Sequence, residues 1–227
     1  MDFSENFCVK QQNEIQSAYY SRDQFTLFTA VAYIYLDELK TISYGIVSNT
    51  RNHDKYSTNS MKQAILEDLM ESYTNIEEIW WFSDGAPAHF KNYYSLSNMT
   101  KLAKEYRIKM QWSFSATSHG KSQADGVGGS IKAMIDRRLK TKEIEIKNAK
   151  DFYINAKETC PVHKILYVSQ REIDALRDNL DKFWSNAKKI VDLRQFHHFE
   201  CCENDEKTLK CAITSTGIGQ KLVKILK

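Results

Sequence analysis

SDGAPAHFKN, residues 83–92, and ATSHGKSQADGVGGSIK, residues 116–132, are the stretches on which the fold turns. Each places an aspartate just past an apolar run that reads as a β-strand. Ile79-Trp80-Trp81-Phe82 leads into Asp84, and Met110 to Phe114 leads through a polar loop to Asp125. A third acid, Asp2, opens another strand-like run. Three carboxylates carried by separate elements to one end of a sheet suit a two-metal phosphoryl-transfer site. Hard divalent ions prefer oxygen ligands, and a pair of them clamps the attacking and leaving oxygens of an in-line displacement.

Working outward, the pattern predicts strands over 1–9, 25–36 and 41–47, the last two joined by a turn at Asp37-Glu38. A helix follows, capped within Thr58-Asn59-Ser60 and carrying Met61, Ile65, Leu69 and Tyr73 on one face. A fourth strand spans 76–82. Pro87 suits the first turn of a second helix, which Phe90, Tyr94, Leu102 and Tyr106 continue. Residues 109–114 form a fifth strand. A helix from about Ser122 places Val127, Ile131, Ile135 and Leu139 on one stripe. The order β-β-β-α-β-α-β-α predicts an α/β protein with a mixed five-stranded sheet flanked by helices. Beyond residue 140 the pattern weakens. A short strand at 165–168 and a helix over 172–190 stand out, and the last thirty residues give no assignment, so an α-rich extension is expected there.

Apolar residues make up 42% and charged residues 27%, a balance that excludes wholesale disorder. The longest apolar run, 25–36, is shorter than the roughly 20 residues that span a bilayer. The first ten residues lack the pattern of a signal peptide. The expected location is therefore nuclear or cytoplasmic, and the five cysteines are expected as free thiols. Charge is uneven: residues 1–130 carry 12 Lys+Arg against 15 Asp+Glu, and residues 131–227 carry 20 against 14. An acidic half with a metal site, followed by a basic half, suits a nucleic-acid enzyme; a solvated lysine-rich surface explains the charge equally well.

The strings MDFSENF, SDGAPAHFKN and ATSHGKSQADGVGGSIK resemble the catalytic blocks of a transposon-derived eukaryotic family with a ribonuclease H-like, integrase-like fold and a DDE/D motif. The resemblance covers residues 1–140, read as the catalytic domain, with 141–227 as a basic C-terminal extension. It implies Asp2, Asp84 and Asp125 as the metal ligands and catalytic residues, Mg²⁺ or Mn²⁺ as the ion, and DNA strand cleavage and joining as the reaction. DNA is the implied partner. A homo-oligomer is compatible with it, and neither a membrane nor a small-molecule cofactor is implied. Only Met1 precedes Asp2, so the resemblance implies a catalytic domain shortened at its N-terminus. A ribonuclease H-like nuclease or resolvase would use the same acids. A domesticated, catalytically silent DNA- or protein-binding module would keep them without using them.

Each residue also has a purely structural reading. Asp84 suits a turn with Gly85, and Asp125 lies three residues after Ser122, as in a helix cap. His119, Lys121, Lys91 and Lys132 flank the acids and are candidates for DNA contact, with loop capping and solvation as the alternatives. Gly126, Gly128 and Gly129 suggest close approach of a neighbour to the helix, with the sheet as the first choice. Trp80, Trp81, Trp112 and Phe114 are expected in the core.

Overall fold

The computed structural model describes residues 1–8, 24–115, 123–202 and 205–227. It is a mixed α/β protein of two mixed sheets and, among the described residues, five α-helices. The chain divides into two compact units, Met1–His53 with Lys121–Glu172, and Asp54–Gly120 with Ile173–Lys227. No helix among the described residues is long and apolar enough to cross a membrane.

The first unit holds a four-stranded sheet in the order β1-β2-β3-β6, built from β1 (Asp2–Cys8), β2 (Gln24–Tyr35), β3 (Leu39–Ser48) and β6 (Lys164–Tyr167). β1, β2 and β3 pair antiparallel, and β6 joins β3 in parallel. Two helices, α3 (Gln123–Lys140) and α4 (Ala149–Thr159), pack on this sheet. The stripe Val127, Ile131, Ile135 and Leu139 faces the core, as its spacing requires. Burial of each such side chain contributes about 1.5–3 kcal/mol. The rings of Phe7, Phe25 and Phe152 lock β1, β2 and α4 together at centroid distances of 4.8 to 5.2 Å. A register shift between Ser4 and Phe7 marks a β-bulge in β1.

The second unit holds a five-stranded sheet in the order β4-β5-β7-β8-β9. Its strands are β4 (Glu78–Ser83), β5 (Lys109–Phe114), β7 (His198–Cys202), β8 (Asp205–Ala212) and β9 (Lys221–Lys224). β4 and β5 run parallel; every other neighbouring pair is antiparallel. Helix α2 (Tyr93–Tyr106) packs against β5, β7 and β8, and α1 (Lys55–Ser72) packs on α2. The α1–α2 seam is polar: Asn59 Nδ2 donates to Ser95 Oγ (3.2 Å), and Asn98 Nδ2 donates to Asn59 Oδ1 (3.0 Å). The remaining helix is α5 (Gln170–Trp184), whose Trp184 Nε1 donates to the Tyr94 carbonyl at 2.9 Å.

The order of elements through residue 140 is the one read from the sequence. The single five-stranded sheet is not: β1–β3 and β4–β5 lie in separate sheets. Local alternation identifies a strand but not its partner, and the neighbours of β3 and β5 come from β6 and β7, more than eighty residues further on. The expected α-rich extension is mixed as well, since β6 to β9 lie beyond residue 140 with α4 and α5. Two helix starts also move. Helix α1 is capped by Asp54, whose carboxylate accepts from the Tyr56 and Ser57 amides; Thr58, Asn59 and Ser60 are buried inside it. Helix α2 starts at Tyr93 behind the cap Asn92, because residues 89–91 first form a separate turn on the Ala86 carbonyl.

Candidate functional site

In the first unit, Asp2 pairs with Thr29 across the β1–β2 ladder. Residues directly opposite in a ladder share a face, so Asp2 lies on the face that carries Thr29. The Thr29 hydroxyl donates to the Asp2 carbonyl (3.3 Å), and the Asp2 carboxylate accepts from the Phe3 amide (2.7 Å).

Helix α3 lies on this same face. A Cβ added at Gly128 would stand 2.7 Å from Ser4 Oγ and 3.5 Å from Thr29 Cγ2, so the glycine brings the helix down onto β1 and β2. The direction of α3 follows from its ends. Gln123 accepts a hydrogen bond from Tyr33, beyond Thr29 on β2, while Ile135 and Leu139 share a core with Phe7 and Phe25. Helix α3 therefore runs alongside β1 with its N-terminus at the Asp2 end. Asp125, exposed in the first turn of α3, lies at that end too. The positive end of the helix dipole favours a carboxylate there by about 0.3–1 kcal/mol. Two of the three sequence-predicted acids, 123 residues apart, thus share one end and one face of the four-stranded sheet. Gly126 and Gly129 meet nothing within 4 Å, so the sheet-packing role read from the sequence belongs to Gly128 alone.

The third acid, Asp84, belongs to the second unit, immediately past β4. It is exposed, and its Oδ1 accepts from the Ala86 amide at 3.1 Å, the turn geometry that Asp-Gly favours. The preceding Ser83 is held from two sides: its hydroxyl accepts from Trp112 Nε1 (3.1 Å), and its carbonyl accepts from the Ser115 amide (3.0 Å). Asp84 thus stands on a fixed strand end rather than on a loose loop.

The candidate phosphate contacts fare differently. Lys91 is buried, its ammonium donates to the Arg194 carbonyl (3.0 Å), and burial lowers its pKa. It is a structural lysine rather than a solvated one. Lys132 is half-buried on α3. His119 and Lys121, with the Ser122 cap, lie outside the described residues.

Exposed carboxylates are hard oxygen donors and fit Mg²⁺ or Mn²⁺ rather than a soft metal. Among the described residues, no group of three or more His, Cys, Asp or Glu side chains is arranged to hold a metal ion. All five cysteines are free, as expected.

Two features escaped the sequence reading. Trp80 is 45% exposed rather than core, and Phe82, two residues on, is 55% exposed, whereas Trp81, Trp112 and Phe114 are buried as expected. Strict alternation on β4 carried the signal, because adjacent Trp80 and Trp81 must face opposite sides. The other feature is Lys62, 1% exposed in the middle of α1, with its ammonium 3.4 Å from the centroid of the Trp112 ring.

A family model described as a domain of unknown function (DUF8701) matches residues 1–215, and the chain belongs to that family. No curated protein matches the chain, and no solved structure does.

Proposed function

We propose that the chain is a transposase-derived, ribonuclease H-like protein that cleaves and joins DNA strands with Mg²⁺ or Mn²⁺ held by Asp2, Asp84 and Asp125. The observation that carries this reading is the pairing of Asp2 and Asp125. Helix α3 lies along β1 and brings two acids from opposite ends of the matched motifs to one sheet end. The placement of Asp84 on an anchored strand end supports it.

The proposal makes a structural demand. Asp84 must serve the same ions as Asp2 and Asp125. The three carboxylates would hold and orient the ions, which supply charge neutralisation at the scissile phosphate. The protein's own task is positioning: the Ser83 anchor fixes Asp84, and the Gly128 contact sets the height of Asp125 above the sheet.

A plasmid-nicking assay tests the reading. Nicking that requires Mg²⁺ or Mn²⁺, and is abolished by Asp84→Asn and by Asp125→Asn, is the expected result. Full activity in either variant would show that the site is wrongly assigned. DNA binding without cleavage under any metal condition would move the protein to the silent binding module. Hydrolysis without joining would favour a nuclease or resolvase.

A further inference from the structure

Lys55 opens helix α1, and its ammonium lies among three aromatic rings of the second unit. It stands 3.6 Å from the centroid of Tyr94, 4.9 Å from that of Tyr56 and 4.9 Å from that of Trp184. All three distances fall inside the ~6 Å over which a ring face attracts a cation. Among the described residues, this ammonium has no hydrogen-bond acceptor and no carboxylate partner, so the rings alone hold it. The rings are themselves fixed. Trp184 meets Tyr56 at 5.4 Å and Tyr94 at 5.1 Å, centroid to centroid. Its Nε1 donates to the Tyr94 carbonyl (2.9 Å), and the Tyr56 hydroxyl donates to Asp181 Oδ1 (2.8 Å). Rings locked from α1, α2 and α5 form a cage that stands ready before a ligand enters.

The contents of the cage identify its ligand. A lysine ammonium is strongly hydrated and carries three donors, for which ring faces are poor acceptors. Replacing its N–H bonds by N–CH₃ keeps the charge, removes the donors and gives the rings apolar surface, the chemistry by which aromatic cages recognise quaternary ammonium groups. The cage therefore suits a methylated ammonium better than the group now in it, and Lys55 shows that a lysine tip fits the space. Trp184 is buried while Lys55, Tyr56 and Tyr94 are half-buried, so the cage has a solvent side. Asp181, exposed one turn before Trp184, forms no ion pair among the described residues and adds a negative charge. Arg177, also over the Tyr56 ring (4.6 Å), has its own charge offset by Asp174 at 3.7 Å.

We infer that Tyr56, Tyr94 and Trp184 form a recognition cage for a methylated lysine side chain of a partner protein, with Lys55 as the resident plug that the partner's lysine displaces. This goes beyond the cleavage reading and does not depend on it. Exchange is open to Lys55 because it has no ion pair to lose, and its ammonium returns to water, where it is well hydrated. A plugged cage binds its ligand more weakly, in proportion to the fraction of molecules in which it stands open. The other ammonium held among rings, Lys62 beside Trp81 and Trp112, is sealed from solvent and offers no such entry.

The test is titration calorimetry of the full chain with a short peptide carrying one trimethylated lysine. The controls are the same peptide with unmodified lysine, and with a neutral isostere in which carbon replaces the ammonium nitrogen. The trimethylated peptide should bind roughly 2- to 30-fold tighter than either control, the span of one cation–π contact. Lys55→Ala, which empties the cage without removing a ring, should tighten its binding several-fold. Tyr94→Leu, which keeps apolar volume and removes a π-face, should weaken it roughly 2- to 30-fold. If a lowered melting temperature shows that Tyr94→Leu loosens the fold, Lys55→Ala decides alone. No binding by Lys55→Ala would overturn the inference. Binding by Lys55→Ala and none by the wild-type chain would also overturn it, since Lys55 would then be a permanent part of the fold. Equal affinity for either control peptide would refute recognition of the methylated cation. Choline binding as tightly as the peptide would exclude a protein partner, because the ligand would then be a small quaternary ammonium.

Discussion

Lys62 shows how far the burial of a single residue can depart from its residue type. A lysine beside Met61 on an amphipathic helix reads as solvated, yet it falls on the buried stripe with Leu66 and Leu69. Its ammonium has no hydrogen-bond partner among the described residues and rests between the rings of Trp112 and Trp81. Burial holds its pKa well below the usual 10.5. Between that depressed folded pKa and 10.5, the unfolded chain carries the proton and the folded chain does not. Stability therefore rises with pH from the depressed folded pKa up to 10.5, then levels off. Lys62→Met should flatten that rise and stabilise the protein at pH 7 by about 1–3 kcal/mol, the cost of an unsatisfied buried polar group. Urea melts at several pH values measure both. An unchanged pH slope in the variant would show that Lys62 stays charged in the fold. The acids themselves were legible as residues, because an aspartate past an apolar run is a local pattern. The burial of Lys62 and Lys91 was not, because it depends on aromatic rings and a carbonyl distant in sequence.

At the scale of elements, α3 is the clearest case of sequence dictating structure. Its four-residue apolar repeat gave the buried face, and its glycines gave the close approach, although only one of the three makes it. The distinction is measurable. Gly128→Ala drives a methyl to within 3.0 Å of Ser4 Cβ, and should cost about 1–3 kcal/mol by overpacking. Gly129→Ala meets open space, and should stabilise by up to ~1 kcal/mol through helix propensity. Thermal melts of the two variants should move in opposite directions; a shift of the same sign in both would refute this account of α3. The elements that escaped prediction share another trait. β7 to β9 are short and laced with charge, as in DEKTLKCA and KLVK, so their apolar positions are too few to set a period. β7 holds its place through pairing with β5, and β8 and β9 add onto β7 in turn, partnerships that no local window contains.

For the whole molecule, the element order was readable through residue 140 and the division into two sheets was not, since partner choice is a long-range property. The proposed site depends on that long-range level, because Asp84 and the Asp2–Asp125 pair come from different units. If one metal site unites them, Mn²⁺ at about 100 times its Kd stabilises the fold by about 2.7 kcal/mol. For a chain of this size that is roughly 5–10 °C in melting temperature. EDTA should reverse the shift, and Asp2→Asn, Asp84→Asn and Asp125→Asn should each remove most of it. A full shift in Asp84→Asn would mean that the second unit takes no part in metal binding. The interleaving of the two units also has a consequence during synthesis. The face of β2 and β3 that Ile131 covers leaves the ribosome long before its cover, since Ile131 follows Ser48 by 83 residues. At about 5–20 residues per second, the apolar side of the hairpin waits roughly 4–17 s for α3. A nascent chain stalled after β3 should therefore be a strong client of chaperones that hold exposed strands, and one stalled after α4 a weaker one.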